Sequence, residues 1–167
     1  MTEPSIQSLF DLSDRVALIT GGSGFLGKSF SRALAEAGAS VVIASRDKAR
    51  ADRIAEELPS PDGALHFGVQ LDQLDEESLN AGFDDAVKSA GQVDILINNG
   101  QQGHALDLTD VTGQAFSEDL RNVTGYFLLA RRFRDHIVKR DESGAVVMIG
   151  SMYGVVGSYP DAYEDVC

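Results

Sequence analysis

One cysteine, Cys167, stands in a chain of 167 residues, so no internal disulfide can form. A reducing cytoplasm is the compartment that this usage fits, and a cytoplasmic location is the expectation. Positive charge is scarce too: 14 Lys and Arg against 26 Asp and Glu give a formal net charge of -12 at pH 7. Such a surface repels phosphate backbones and anionic lipid, so neither nucleic acid nor membrane is an expected partner, and any anion site must be local. No apolar run approaches the roughly 18 residues that mark a membrane span. The opening stretch MTEPSIQSLFDLSDR has no basic segment followed by an apolar one, so no secretory signal is read there. His66, His104 and His136 lie far apart and away from the cysteine, which argues against a metal site. The 17 glycines follow no period, which excludes a collagen-like or low-complexity chain.

What is present is the composition of a globular protein, 43% hydrophobic and 24% charged. A chain of this length buries roughly 70% of its unfolded surface, enough for one domain over residues 1–167. RVALIT (15–20), SVVIA (40–44), LHFGVQ (65–70), VDILI (93–97) and AVVMI (145–149) read as short buried strands. Between them lie segments of helical period. Leu26, Phe30, Ala33, Leu34 and Ala37 form one stripe before Gly38, and Ala51, Ile54, Ala55 and Leu58 a second before the prolines of PSPDG. Leu79, Phe83, Ala86, Val87 and Ala90 form a third, in a helix from near Asp75 to Gly91. A longer helix is predicted over 117–139, with Phe116, Leu120, Val123, Phe127 and Ala130 as its apolar stripe and Gly125 allowing close backbone approach. Strands alternating with amphipathic helices predict an α/β fold, a Rossmann-type doubly wound parallel sheet. A six-stranded dinucleotide fold needs one more strand and helix, so the sheet is expected to be incomplete at its C-terminal end.

TGGSGFLG (20–27) joins the first strand to the first predicted helix. Gly21, Gly24 and Gly27 have the spacing of a dinucleotide-binding turn, with one glycine for the turn, one for backbone approach to a pyrophosphate and one for helix packing. A merely structural turn is the plainer alternative. At the end of the second strand, where ribose is read, stand Ser45 and Arg46, with Lys48, Arg50 and Arg53 following. An acidic residue here would accept from the 2′-hydroxyl of NAD, whereas a planar guanidinium suits a 2′-phosphate. NADP is the favoured cofactor and NAD the second choice, against the alternative of a solvated basic helix face.

TGGSGFLG, LDQLDEES, DILINNG, RNVTGYF and VVMIGSMYGVVG, in this order, resemble the short-chain dehydrogenase/reductase family along almost the whole chain. The resemblance implies hydride transfer between NAD(P) and an alcohol or carbonyl carbon of a small molecule. It implies cofactor contacts from Gly21, Ser23, Gly24, Phe25, Leu26, Gly27, Ser45 and Arg46, from Asp72 to the adenine, and from Asn98 of the family's Asn-Asn-Ala-Gly motif. It implies catalytic roles for Ser151, which would hold the substrate oxygen, and for Asn122, which would hold a water in a proton relay. Taken alone, Asp72 also reads as a helix-entry residue, Asn122 as an exposed helix residue and Ser151 as a turn serine. Two departures are Phe25, where many members have glycine, and NNGQ in place of Asn-Asn-Ala-Gly. Family members usually pair through the long helix and the one after it, so a dimer or tetramer is expected of a full-length protein.

The family's acid–base step needs Tyr-x-x-x-Lys. In YEDVC (163–167) the lysine position is Cys167, and Glu164 and Asp165 would raise the Tyr163 pKa where a lowered one is required. Two readings stay open. Either Tyr163 is a substrate-loop residue and the catalytic pair lies beyond Cys167, or the chain is a pseudoenzyme that binds a dinucleotide or a protein partner. On both, the 167-residue chain alone is expected to be inactive. Met152, Tyr153, Gln101 and Gln102 indicate a partly polar substrate pocket, and the SMYGVV likeness points to sugar-like or polyol substrates.

Overall fold

The computed structural model describes residues 3–103, 106 and 108–155. Tyr163 and Cys167, with the open question of YEDVC, lie outside the described residues, as does His104. In chain order the elements are α1 (Ile6–Leu9), β1 (Val16–Thr20), α2 (Phe25–Glu36), β2 (Ser40–Ser45), α3 (Lys48–Glu56), β3 (Phe67–Gln70), α4 (Glu76–Ala90), β4 (Ile95–Asn98), α5 (Gly113–Arg140) and β5 (Ala145–Met148). Short 3-10 turns occupy Pro61–Gly63 and Met152–Gly154. The five strands form one parallel sheet in the order β3-β2-β1-β4-β5. The strand order reverses at β1, so the crevice beside it at the carboxyl ends of the strands is where ligands bind in sheets of this kind.

Successive strand residues point to opposite faces, and both faces are covered. Leu18, Val42, Val69 and Leu96 meet Leu79 and Phe83 of α4 and Leu129 and Phe133 of α5 in one core. Ile19, Ile43 and Ile97 meet Ala35 of α2 and Ile54 of α3 in the other. Fully burying such an aliphatic side chain contributes about 1.5–3 kcal/mol. Helix starts are fixed by side-chain caps: Asp47, Asp75 and Thr112 accept from the main-chain N–H of Arg50, Ser78 and Ala115. Each cap is worth about 1 kcal/mol.

Before β1, Ser5 caps the one-turn α1. Three expectations need correction. The long helix starts at Gly113 rather than near 117, and its Thr112 cap was available in the sequence. Its stripe is also the wrong one: Phe116, Leu120, Val123 and Phe127 are all more than half exposed, whereas Ala115, Gly125, Leu129, Phe133 and Ile137 are buried. Gly125 decides the rotation. A Cβ there would lie 2.2 Å from the Gln73 carbonyl oxygen, so this point of the helix must face the β3–α4 loop. Residues two positions to either side, Val123 and Phe127, are then carried about 200° away. The same logic corrects α2, whose buried line is Gly27, Ser31 and Ala35, with Phe30 and Leu34 partly buried beside it and Leu26 and Ala33 exposed.

Candidate dinucleotide cleft

Thr20 closes β1 and joins two loops. Its Oγ1 accepts from the N–H groups of Asn99 at 3.0 Å and Gly100 at 2.9 Å. Asn99 returns the contact, its Nδ2 donating to the carbonyls of Thr20 at 3.1 Å and Gly21 at 3.2 Å. The glycine turn after β1 is thereby stitched to the loop after β4. Gly21 has φ 60, a left-handed conformation that a side chain disfavours, and a Cβ on it would lie 2.7 Å from the Gly100 Cα. A Cβ on Gly27 would lie 2.1 Å from the Gly21 carbonyl oxygen, so α2 can start against the turn only because that position is bare.

The N-cap of α2 is Gly24, which supplies no side-chain cap, and the first turn carries no acidic residue. A 12-residue helix therefore presents main-chain N–H groups and the positive end of its dipole to the crevice, the arrangement that holds phosphate. Two arginines add local positive charge on an otherwise acidic protein. The Arg50 guanidinium donates to the Ser23 carbonyl at 2.9 Å, and Arg46 donates to Gln102 Oε1. A cavity of about 510 Å³ lies between these groups, lined also by Ser45, Asp72, Phe25 and Leu26.

The cleft thus gathers the expected Gly21, Ser23, Gly24, Phe25, Leu26, Gly27, Ser45, Arg46 and Asp72. Phe25 stands 90% exposed at its lip. One Asp72 oxygen, Oδ1, accepts from the Leu74 N–H at 2.9 Å, and Ser78 Oγ accepts from the Asp72 N–H. Asn98 is not on the lining. It is fully buried beneath it, with Nδ2 donating to the Tyr126 carbonyl at 3.1 Å and Oδ1 without a hydrogen-bond partner among the described residues. Its neighbour Asn99 does line the cleft, a residue that the doubled asparagine offered and sequence reasoning passed over.

Asn122, on α5, sits behind the far end of the cleft with its amide saturated. Oδ1 accepts from Gln73 Nε2 at 2.9 Å and from the Gln102 N–H at 3.0 Å, while Nδ2 donates to the carbonyls of Asp119 and Gln102. Ser151 follows β5, exposed, and its carbonyl accepts the Gly154 N–H that closes the last 3-10 turn. Burial raises the Tyr126 phenol above its usual range. Thr20, Arg50 and Gln73 also emerge as organising residues. Only Arg50 carried a prior signal, as part of the basic run after the second strand.

At the opposite end of β4 lies a second polar cluster. Asp94, 2% exposed, accepts from the Val16 N–H at 2.9 Å, from Gln92 Nε2 at 2.8 Å and from Arg140 Nη1 at 3.0 Å. His136 Nε2 accepts from the Val93 N–H at 3.3 Å. Burial, and after it the Arg140 guanidinium, lowers the His136 pKa. This cluster ties β1, β4 and α5 together away from the cleft. Among the described residues no group of His, Cys, Asp and Glu could hold a metal ion, and no helix is long and apolar enough to cross a membrane.

The family model for short chain dehydrogenase matches residues 15–162. The chain is 30% identical over 148 residues to a 3-oxoacyl-(acyl-carrier-protein) reductase of Aquifex aeolicus, covering 88% of this chain and 59% of that protein. Among solved structures it is similar to a 3-ketoacyl-(acyl-carrier-protein) reductase from Brucella melitensis complexed with NADH, at TM-score 0.78 and 31% identity, covering 87% of this chain and 60% of that one. It is also similar to a gluconate 5-dehydrogenase from Burkholderia cenocepacia in complex with NADP and tartrate, at TM-score 0.83 and 27% identity, covering 92% and 60%. The chain therefore spans about three fifths of the length of these relatives.

Proposed function

From the premise that the chain belongs to the short-chain dehydrogenase/reductase family, we propose that its cleft binds a nicotinamide dinucleotide, NADP(H) in preference to NAD(H). The whole protein is then an oxidoreductase acting on the alcohol or carbonyl group of a small polar molecule. The observation that carries this reading is the bare glycine turn against the uncapped start of α2, where a side chain at Gly21 or Gly27 would collide with main chain. When bound, the nicotinamide supplies the hydride acceptor or donor.

The chain's own residues divide the remaining work. The α2 N-terminus holds pyrophosphate, Asp72 and Ser45 border the adenosine, and Arg46, the exposed cation at the end of β2, takes the 2′-phosphate. Ser151 holds the substrate oxygen. Asn122 fixes the loop after β4 through its two contacts with the Gln102 main chain, braced by Gln73, and Asn98 supports that loop from below by holding α5 to β4. None of the four tyrosines is followed four positions later by lysine, so these 167 residues supply binding without the acid–base pair. General acid–base catalysis is worth about a hundred- to ten-thousand-fold in rate. The exposed α5 stripe favours a dimer or tetramer of the whole protein, since an apolar helix face of this extent is covered in a working assembly.

Titration of the 167-residue polypeptide with NADPH, followed by nicotinamide fluorescence, tests the reading. Saturable binding without steady-state turnover is expected. Turnover by this polypeptide would refute the division of labour, and absence of binding to both NADPH and NADH would refute the cofactor. The second reading, a binding module without chemistry, is favoured by the same missing pair. It predicts that a longer form of the protein binds NADPH and still turns over nothing.

A further inference from the structure

Arg46 and Gln102 are 56 positions apart and meet at the mouth of the cavity, with the Arg46 guanidinium donating to Gln102 Oε1 at 2.5 Å. One comes from the end of β2 and the other from the loop after β4, so their contact spans the cleft from wall to wall. Among the described residues Arg46 has no carboxylate partner, so its charge is answered here by a neutral amide. Arg50 differs, because its partner is the Ser23 carbonyl, part of the glycine turn itself. Gln102 is also held in place for its contact. Its N–H donates to Asn122 Oδ1 at 3.0 Å and its carbonyl accepts from Asn122 Nδ2 at 2.5 Å, while Asn122 is braced in turn by Gln73. A main chain clamped on both sides has its backbone entropy already spent, so closing the bond costs only side-chain rotamer freedom.

We propose that Gln102 is a cofactor-specificity residue, a neutral latch on Arg46 that a 2′-phosphate displaces and a ribose 2′-hydroxyl leaves closed. The proposal rests on the dinucleotide reading above and adds to it the residue that sets the cost of choosing NADP(H). A phosphate dianion offers the guanidinium a charge-assisted, bidentate partner, which outcompetes a single bond to an amide. A hydroxyl offers nothing comparable, so NAD(H) gains nothing by opening the latch. The latch therefore lowers the apparent affinity for NADP(H) by the fraction of time it is closed, and leaves that for NAD(H) alone.

The test is equilibrium binding of NADPH and of NADH, by calorimetry, to the native chain and to two variants at an exposed position, Gln102→Ala and Gln102→Glu. Gln102→Ala is expected to tighten NADPH by about fivefold, the effect of removing one modest competing hydrogen bond, with NADH unchanged. Gln102→Glu replaces the neutral partner with a charged one and is expected to weaken NADPH by more than about tenfold, again with NADH unchanged. Equal shifts for both cofactors, or no shift in either variant, would overturn the latch while leaving the dinucleotide reading intact. A native chain that binds neither NADPH nor NADH would overturn both.

Discussion

Two strands flank β4, and their sequences are nearly interchangeable: VALIT in β1 and AVVM in β5. Their surroundings are opposite. Every residue of β1 is at most 5% exposed, whereas Val146, Val147 and Met148 of β5 are 42%, 42% and 54% exposed. The β-branched run makes each segment a strand, and position in the sheet decides what that strand is worth. β1 is central, with strands on both sides and helices on both faces. Among the described residues β5 pairs with β4 alone. The cleft is built at the end of the central strand, and Ser151 follows β5.

This contrast can be broken by experiment. Leu18→Ala in β1 is expected to cost about 3–4 kcal/mol in urea unfolding, because a fully buried leucine leaves a cavity among rigid neighbours. Asp94→Ala should follow at about 3 kcal/mol, since it strands the half-buried Arg140 guanidinium and the Val16 N–H together. It should also loosen β1 and β5 alike, because the Asp94 main chain bonds to both Val16 and Ala145. Mild acid comes next. His136 holds its proton less readily in the native state than in the unfolded chain, so its contribution is full above the usual histidine pKa of about 6.5 and is lost as pH falls below it. The urea midpoint should therefore fall as the pH drops below about 6.5, and His136→Gln should flatten that part of the profile. The smallest effect belongs to Val147→Ala in β5, about 1 kcal/mol or less. A cost equal to that of Leu18→Ala would mean that β5 is as buried as β1 in solution, and the contrast would be gone.

How much of this could be read in advance follows the same division. The central strands, the glycine turn and the Asp75 helix start are written locally, in β-branched runs, a spacing of three and a capping residue. The rotation of α5 is not. That helix carries two apolar stripes, and the choice between them depends on Gly125 meeting the Gln73 carbonyl, a residue 52 positions away whose location no local pattern reports. The cleft divides likewise. Gly21, Gly24 and Gly27 were legible because the turn's own geometry demands them, and Arg46 because it stands at the end of the second strand, where ribose is read. Gln102 was legible only as a polar residue, since no local pattern reports which guanidinium it reaches. Asn122 was named through family resemblance, and the saturation of its amide by Gln73, Gln102 and Asp119 belongs to the folded state alone.

The stitch between Thr20 and the Asn99–Gly100 corner also sets an order in time. Its partners are separated by 79 and 80 positions, so the glycine turn emerges from the ribosome long before the residues that lock it. At 5–20 residues per second the wait is about 4–16 s, many times longer than helix formation or hydrophobic collapse. Until β4 docks on β1, the glycine turn has a start and no floor. The nascent protein therefore completes its cleft late, after α2, α3 and α4 have been synthesised.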